Sequence, residues 1–173
     1  MALFLLLLAL VAAPQKRFVH PGECSSCHRA AQPGVCLGCH DAKSAKLAAA
    51  HREQPFAASK CTNCHDPHSS NAAKLLYEIP HGPFAGRRCD ECHSEPVDGK
   101  IRISGGNVRD LCLTCHVVIG NRVASSKSAH AALACTACHT PHTSNFRPHL
   151  KAAREAVCRT CHRDGPPSPE FSH

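Results

Sequence analysis

Hydrophobic residues are unevenly distributed along this chain. A continuous apolar run, Leu3 to Val11, is followed by the small residues Ala12 and Ala13. This pattern is typical of a secretion signal, so we interpret residues 1–13 as one, although no Lys or Arg precedes the run. The run is too short to span a bilayer. A buried apolar N-terminal helix is the alternative interpretation.

The rest of the chain predicts only short elements. Propensity favours helices at residues 43–51, 127–134 and 148–157, the last with Pro at its start. Ile101 and Ile103 alternate with Arg102 before two glycines, which predicts a small hairpin or a plain loop. A Gly-Asn pair within residues 117–123 is a turn signal of the same kind, and Pro33-Gly34 is another.

Apolar side chains are too few to build an ordinary core. Leu, Ile, Val and Phe number 33 of 173 residues, Trp is absent, and Tyr77 is the only tyrosine. A chain with this composition cannot bury enough apolar surface to offset its conformational entropy. It therefore needs other large apolar bodies to fold around, and we expect the polypeptide without them to be unfolded.

The cysteines indicate what those bodies are. All 14 cysteines fall into seven C-x-x-C-H motifs, which is the pattern for covalent attachment of c-type haem, with the histidine as proximal iron ligand. Zinc sites, disulfide frameworks and redox-active C-x-x-C pairs do not require a histidine after every second cysteine. Motifs 1 to 7 are Cys24-Cys27-His28, Cys36-Cys39-His40, Cys61-Cys64-His65, Cys89-Cys92-His93, Cys112-Cys115-His116, Cys135-Cys138-His139 and Cys158-Cys161-His162.

A repeated unit surrounds several motifs. A histidine and then Pro-Phe-Ala precede both motif 3 and motif 4, and motifs 3 and 6 continue as CHDPHSS and CHTPHTS. Over residues 51–162 the chain resembles the doubled-CxxCH multihaem cytochromes c. The resemblance implies distal haem ligands at His51, His68, His81, His130 and His142. Motif 4 departs from the pattern, because Ser-Glu-Pro follows His93 and its distal ligand must come from elsewhere.

Eight histidines lie outside the motifs, one more than seven irons need. Since the only methionine is Met1, every haem is predicted to have two histidine ligands, which favours low-potential, low-spin iron. His20 and His149 join the five histidines above as candidate distal ligands. His173 is the expected spare, with His149 as the alternative. His20 and His173 lie near opposite ends of the sequence, and a ligand role toward a neighbouring subunit is left open for them.

The formal charge of +7 invites a nucleic-acid interpretation. A ferric haem with two histidine ligands and two ionised propionates carries about −1, so seven haems would roughly cancel the excess. We therefore expect Lys and Arg to pair with propionates.

These observations predict a multihaem cytochrome c of mostly irregular coil with short α-helices and little β-structure, wrapped around seven stacked haems. A single domain would span residues 14–163, followed by an extended tail at 164–173. The expected function is electron transfer outside the cytoplasm, in the periplasm or extracellularly, with redox proteins or extracellular acceptors as partners and without enzymatic activity. The alternatives are a multihaem reductase of nitrogen or sulfur oxyanions with one open iron, or a redox partner of a membrane quinol dehydrogenase. The resemblance also extends to cytochromes that polymerise into conductive filaments.

Overall fold

Short helices and short strand pairs, joined by irregular chain, make up this protein. The structure is a computed structural model and describes residues 17–28 and 35–164. The secretion-signal segment 1–13, the Pro33-Gly34 turn, the tail from residue 165 and His173 lie outside the described residues, so those predictions stay predictions.

The α-helices are four to nine residues long. Four of the C-x-x-C-H motifs instead begin in a 3-10 turn, at Val35–Gly38, Cys61–Asn63, Cys89–Glu91 and Cys135–Ala137. The helices in the described part are α1 (Cys24–His28), α2 (Ala45–Ala50), α3 (Gly82–Ala85), α4 (Val108–Cys115), α5 (Val117–Ser125) and α6 (Arg154–Arg159).

The helix predictions have mixed outcomes. Helix α2 confirms the prediction at 43–51, and the Ser44 side chain caps it by accepting a hydrogen bond from the Leu47 amide at 3.4 Å. At 127–134 the chain forms only a 3-10 turn, Ala129–Ala132. The prediction at 148–157 is wrong in position, because α6 begins at Arg154.

Two local contexts explain the wrong predictions. Residues 148–150 form hydrogen bonds with the segment of motif 6, where the Thr140 amide donates to the His149 carbonyl at 2.8 Å. Because of these bonds the helix does not begin at Pro148. The predicted turn at 117–123 is also wrong, since these residues lie in α5. There Gly120 approaches the Leu113 side chain of α4, and a Cβ at Gly120 would lie 3.1 Å from Leu113 Cδ2. This glycine allows close packing of two helices and does not form a turn.

The strands form three antiparallel pairs. Their bounds are β1 (Phe18–Val19), β2 (Ser69–Ser70), β3 (Ile79–Pro80), β4 (His93–Val97), β5 (Lys100–Ile103) and β6 (Thr143–Ser144), paired as β1–β2, β3–β6 and β4–β5. The β4–β5 pair confirms the hairpin near Ile101. Its turn lies at Asp98-Gly99, where φ is +51° and +67°, the left-handed conformation that a two-residue hairpin turn of type I′ requires.

The other two strand pairs repeat one arrangement. Phe18 pairs with Ser70, and Ile79 pairs with Ser144. Phe18 and Ile79 each lie two residues before a histidine. The His20 amide then donates to the His68 carbonyl at 2.9 Å, as the His81 amide does to the His142 carbonyl at 2.8 Å. We call residues 17–76 (motifs 1–3) the first module and residues 77–151 (motifs 4–6) the second module.

No apolar side chain is buried among the described residues. The buried side chains there are polar: Ser70, Thr143 and Ser144, all at 4% exposure or less. The described helices include none that is long and apolar enough to cross a membrane. This confirms the sequence expectation that the polypeptide supplies mostly irregular coil, short helices and little β-structure, without an apolar core of its own.

Candidate haem-binding sites

Five of the seven motifs fold so that the histidine returns toward the first cysteine. The histidine amide donates to the carbonyl of the first cysteine in motifs 2, 3, 5, 6 and 7, at 2.8 to 3.0 Å. This single turn brings both thiols and the imidazole to one side of the chain. Two thioether bonds to a porphyrin edge and one ligand to its iron require this placement.

The motif histidines face histidines from other parts of the chain. In six cases the ring of a motif histidine lies 5.8 to 6.3 Å, between centroids, from the ring of a histidine outside the motifs. These ring pairs are His28–His68 (6.1 Å), His40–His20 (6.0 Å), His65–His51 (6.3 Å), His93–His142 (5.8 Å), His116–His81 (5.9 Å) and His162–His130 (5.8 Å).

The separation within these pairs fits an iron between two imidazoles. A metal ion binds a histidine nitrogen at about 2 Å, so two ligands on opposite sides of one iron place their ring centroids about 6 Å apart. Direct ring stacking is closer, as for His51 and Phe56 at 3.9 Å. No group of three or more His, Cys, Asp or Glu side chains suited to a metal ion occurs within the described ranges.

Motif 6 has a different environment. The His149 ring meets the His81 ring edge-on at 5.6 Å, and its buried Nδ1 has no hydrogen-bond partner. Burial lowers the pKa of His149, with smaller contributions from the charges of His81, His139 and Arg147. His149 is therefore a neutral imidazole near motif 6, in the protonation state that a ligand needs.

The two modules meet at His142. Its Nδ1 lies 3.8 Å from Cys64 Sγ of motif 3, and the Thr143 hydroxyl donates to the Cys64 carbonyl at 3.3 Å. Burial lowers the pKa of His142, with further contributions from the charges of His93 and His81, so its imidazole is neutral near pH 7. The candidate distal ligand of motif 4 thus touches a cysteine of motif 3.

A groove runs along the same contact. It encloses about 470 Å³ and is lined by Thr62 and Asn63 of motif 3, by Tyr77, and by His139 and His142. This volume falls within the range of pockets that bind organic ligands. Its position beside two candidate ligands fits a porphyrin between the modules.

Cysteines of successive motifs also approach one another. The Cys36 thiol lies beside Cys61, and the Cys112 thiol lies beside Cys135. Burial raises the pKa of Cys36 and of Cys112, and the neighbouring cysteine raises each pKa further. Burial likewise raises the pKa of Cys92, with contributions from Glu91 and then from Cys115 of motif 5. The cysteines that would attach successive haems are therefore close together.

Five of the nine exposed large apolar side chains in the described residues lie inside a motif or within two residues of one. Val35 precedes motif 2, Leu37 lies inside it, Val117 and Val118 follow motif 5, and Leu133 precedes motif 6, with exposures of 37% to 65%. Covering such surface is worth about 25 cal/mol per Å². The described residues therefore fit haem in both ligand geometry and apolar lining.

The sequence identified the ligating residue types, and the structure brings six of its seven candidate distal histidines into ring pairs. Sequence reasoning did not find which histidines face each other. It also missed three backbone carbonyls, at Lys74, Arg102 and Pro148, that accept hydrogen bonds from motif histidines. The constant spacing of nine residues was the only available signal, and it is visible only after the contacts are known.

A family model described as the doubled CXXCH motif matches residues 53–79, 81–119 and 128–166. Neither the curated proteins nor the solved structures contain a significant match to the chain.

Proposed function

The chain belongs to the family of multihaem c-type cytochromes defined by the doubled CXXCH motif, and we propose that it is a heptahaem protein that transfers electrons through irons ligated by two histidines. The observation that carries this proposal is the set of six histidine pairs with ring centroids 5.8 to 6.3 Å apart. An iron with two imidazoles has no open position for a substrate, so electron transfer is the chemistry left to it.

Each pair assigns one distal ligand. His20, His51 and His68 serve haems 2, 3 and 1, while His81, His142 and His130 serve haems 5, 4 and 7. His149 is the remaining non-motif histidine of the described residues, and we assign it to haem 6. When bound, haem supplies reversible one-electron chemistry at iron. The chain attaches the porphyrin through sulfur, orients the imidazoles and covers the apolar faces.

The contacts between motifs support an electron path through haems 1 to 6. Haems 2 and 3 adjoin at Cys36 and Cys61, haems 4 and 5 at Cys92 and Cys115, and haems 5 and 6 at Cys112 and Cys135. Haems 3 and 4 adjoin at Cys64 and His142, where electrons cross between the modules. Haem 1 joins the path at the backbone bond between His20 and His68.

The decisive experiment is spectroscopy on the native holoprotein. Intact mass should show seven added haems, and the electron paramagnetic resonance spectrum should contain only low-spin ferric signals. A stoichiometric high-spin signal would instead favour a reductase with one open iron, which would be tested with nitrogen and sulfur oxyanions. Fewer than seven haems would refute the heptahaem assignment.

We propose that the protein works outside the cytoplasm, in the periplasm or extracellularly, because haem is attached to C-x-x-C-H motifs there in bacteria. Its partners would be redox proteins or extracellular acceptors. Assembly into a filament is an alternative suggested by haem density. Electron microscopy of the native preparation distinguishes filaments from monodisperse particles, and intact mass shows whether residues 1–13 are removed.

A further inference from the structure

Three motif histidines share the same hydrogen bond. The Nδ1 atom of His65 contacts the Lys74 carbonyl at 2.9 Å, that of His93 contacts the Arg102 carbonyl at 3.1 Å, and that of His139 contacts the Pro148 carbonyl at 2.9 Å. The acceptor lies nine residues after the histidine in every case. Because a carbonyl only accepts, Nδ1 must carry the proton, which leaves Nε2 for iron.

Two kinds of local structure place these three carbonyls. Arg102 lies on β5, held in register by its pairing with Ser94. Lys74 and Leu75 are both left-handed, with φ of +61° and +57°, and the Asp66 amide secures this turn by donating to the Leu75 carbonyl at 2.7 Å. Pro148 lies in the equivalent turn of the second module, where the Thr140 amide donates to the His149 carbonyl at 2.8 Å. A hairpin and a repeated turn thus produce one bond at one spacing, which indicates that the bond has a role of its own.

The remaining motif histidines lack this bond. Among the described residues, no backbone carbonyl accepts a hydrogen bond from the rings of His28, His40, His116 or His162. The seven proximal ligands therefore fall into two classes, with motifs 3, 4 and 6 in the first class and motifs 1, 2, 5 and 7 in the second.

We propose that the carbonyls of Lys74, Arg102 and Pro148 are positioning groups that lower the reduction potentials of haems 3, 4 and 6 below those of the other four haems. The inference rests on the proposed electron-transfer function and deepens it. Donation from Nδ1–H to a carbonyl increases the electron density of the imidazole and its basicity at Nε2. A more basic ligand stabilises ferric iron over ferrous iron, and the hydrogen bonds around a ligand are one of the protein's means of setting a haem potential.

The arrangement has a consequence for the electron path. Haems 3 and 4 adjoin at the module contact, at Cys64 and His142, and both belong to the low-potential class. An electron crossing between modules must pass through two sites that hold it weakly. In the partly reduced protein, electrons therefore reside on haems 1 and 2 or on haems 5 and 7.

The first experiment uses the native holoprotein. Nuclear magnetic resonance should show that the Nδ1 protons of His65, His93 and His139 exchange with deuterium about tenfold or more slowly than those of the other four motif histidines. During stepwise reoxidation followed by the haem methyl resonances, haems 3, 4 and 6 should lose their electrons first. An oxidation order unrelated to the slowly exchanging class would overturn the inference.

The second experiment moves one carbonyl and leaves every ligand in place. Lys74→Val and Lys74→Gly remove the same charge, but glycine adopts a φ of +61° without strain and a β-branched residue does not. We expect Lys74→Val to speed exchange of the His65 Nδ1 proton and to move haem 3 to a later place in the oxidation order. Lys74→Gly should leave both observables as in the wild type.

The outcomes separate this inference from the proposed function. If Lys74→Val loses the slow proton but haem 3 keeps its place in the order, the tuning role is wrong while electron transfer stands. If Lys74→Val and Lys74→Gly change the place of haem 3 in the oxidation order equally, the charge of Lys74 sets the potential of haem 3. The carbonyl then does not set it, which also overturns the inference. A high-spin haem 3 in the wild-type protein would contradict the proposed function itself.

Discussion

Residues 61–76 of the first module and 135–150 of the second adopt the same local structure, and their sequences are identical at nine of 16 positions. In both segments a motif histidine pairs through an isolated bridge with a leucine, Leu76 or Leu150. A buried serine, Ser70 or Ser144, donates to that leucine's carbonyl at 2.5 or 2.6 Å. The two segments are offset by 74 residues at every one of these contacts, which marks them as copies of one unit.

The modules differ in where the histidine that precedes the third motif has its ring partner. In the first module His51 faces His65 of its own third motif, at 6.3 Å. In the second module His130 faces His162 of motif 7, at 5.8 Å. His51 lies ten residues before its motif and stacks on Phe56, whereas His130 lies only five residues before motif 6, so the shorter connection sends the ring elsewhere. The pairing of histidine rings is therefore local in one module and extends to the next motif in the other.

The modules also differ in what covers their equivalent histidines. The side chain of His68 is 75% exposed, while His142 at the equivalent position is half-buried against Cys64 of the first module. The same motif is therefore a surface feature in one copy and an internal contact in the other.

The largest expected effect follows from removing all haems, and it concerns the folding of the whole protein. Protein expressed without haem attachment should show no cooperative thermal unfolding by circular dichroism, because no apolar side chain is buried in the described residues. The holoprotein should unfold cooperatively. A sharp transition in the apoprotein would show that the polypeptide has a core of its own.

The equivalent histidines allow a direct test of the burial difference. His68→Ala and His142→Ala should each convert about one seventh of the haem to the high-spin form, measured by electron paramagnetic resonance. His142→Ala should also lower the melting temperature more, because it opens a cavity between the modules. Equal melting temperatures would contradict the closed contact at Cys64.

His51→Ala and His130→Ala test the difference in histidine pairing between the modules. The first should make haem 3 high-spin, and the second should affect haem 7 while haem 6 stays low-spin. Assigned haem methyl resonances distinguish these outcomes. A high-spin haem 6 in His130→Ala would mean that both modules bind their third haem in the same way.

The smallest effects concern the shared serines. Ser70→Ala and Ser144→Ala each leave a buried carbonyl without its donor, and each should cost about 1–3 kcal/mol of holoprotein stability. Ser125→Ala, at an exposed serine that bonds only the Arg122 carbonyl, should stay within about 0.5 kcal/mol. Chemical denaturation measures all three, and unequal costs for Ser70 and Ser144 would weaken the equivalence of the modules.

Much of the candidate site was predictable because its chemistry is local. C-x-x-C-H places two thiols and an imidazole on one turn, so the attachment residues follow from spacing alone. Helix α2 was predictable for the same reason, with Ser44 at its N-cap and good helix formers after it. Helix α5 was not predictable, because Gly120 is needed where the Leu113 side chain packs against the helix. The Gly-Asn sequence alone indicates a turn and contains no information on that packing. The start of α6 was misplaced because bonds from motif 6 hold residues 148–150.

The sequence by itself determined the cofactor chemistry, the supply of imidazoles and the shortage of apolar side chains, from which we expect haem to be necessary for folding. Only the tertiary structure decided which histidine faces which motif, where the modules touch and which carbonyls reach Nδ1. The physical reason is the separation along the sequence of the residues that interact. Attachment depends on residues within one turn of chain, whereas the pairing of His28 with His68 or of His93 with His142 depends on strand ladders that join distant residues.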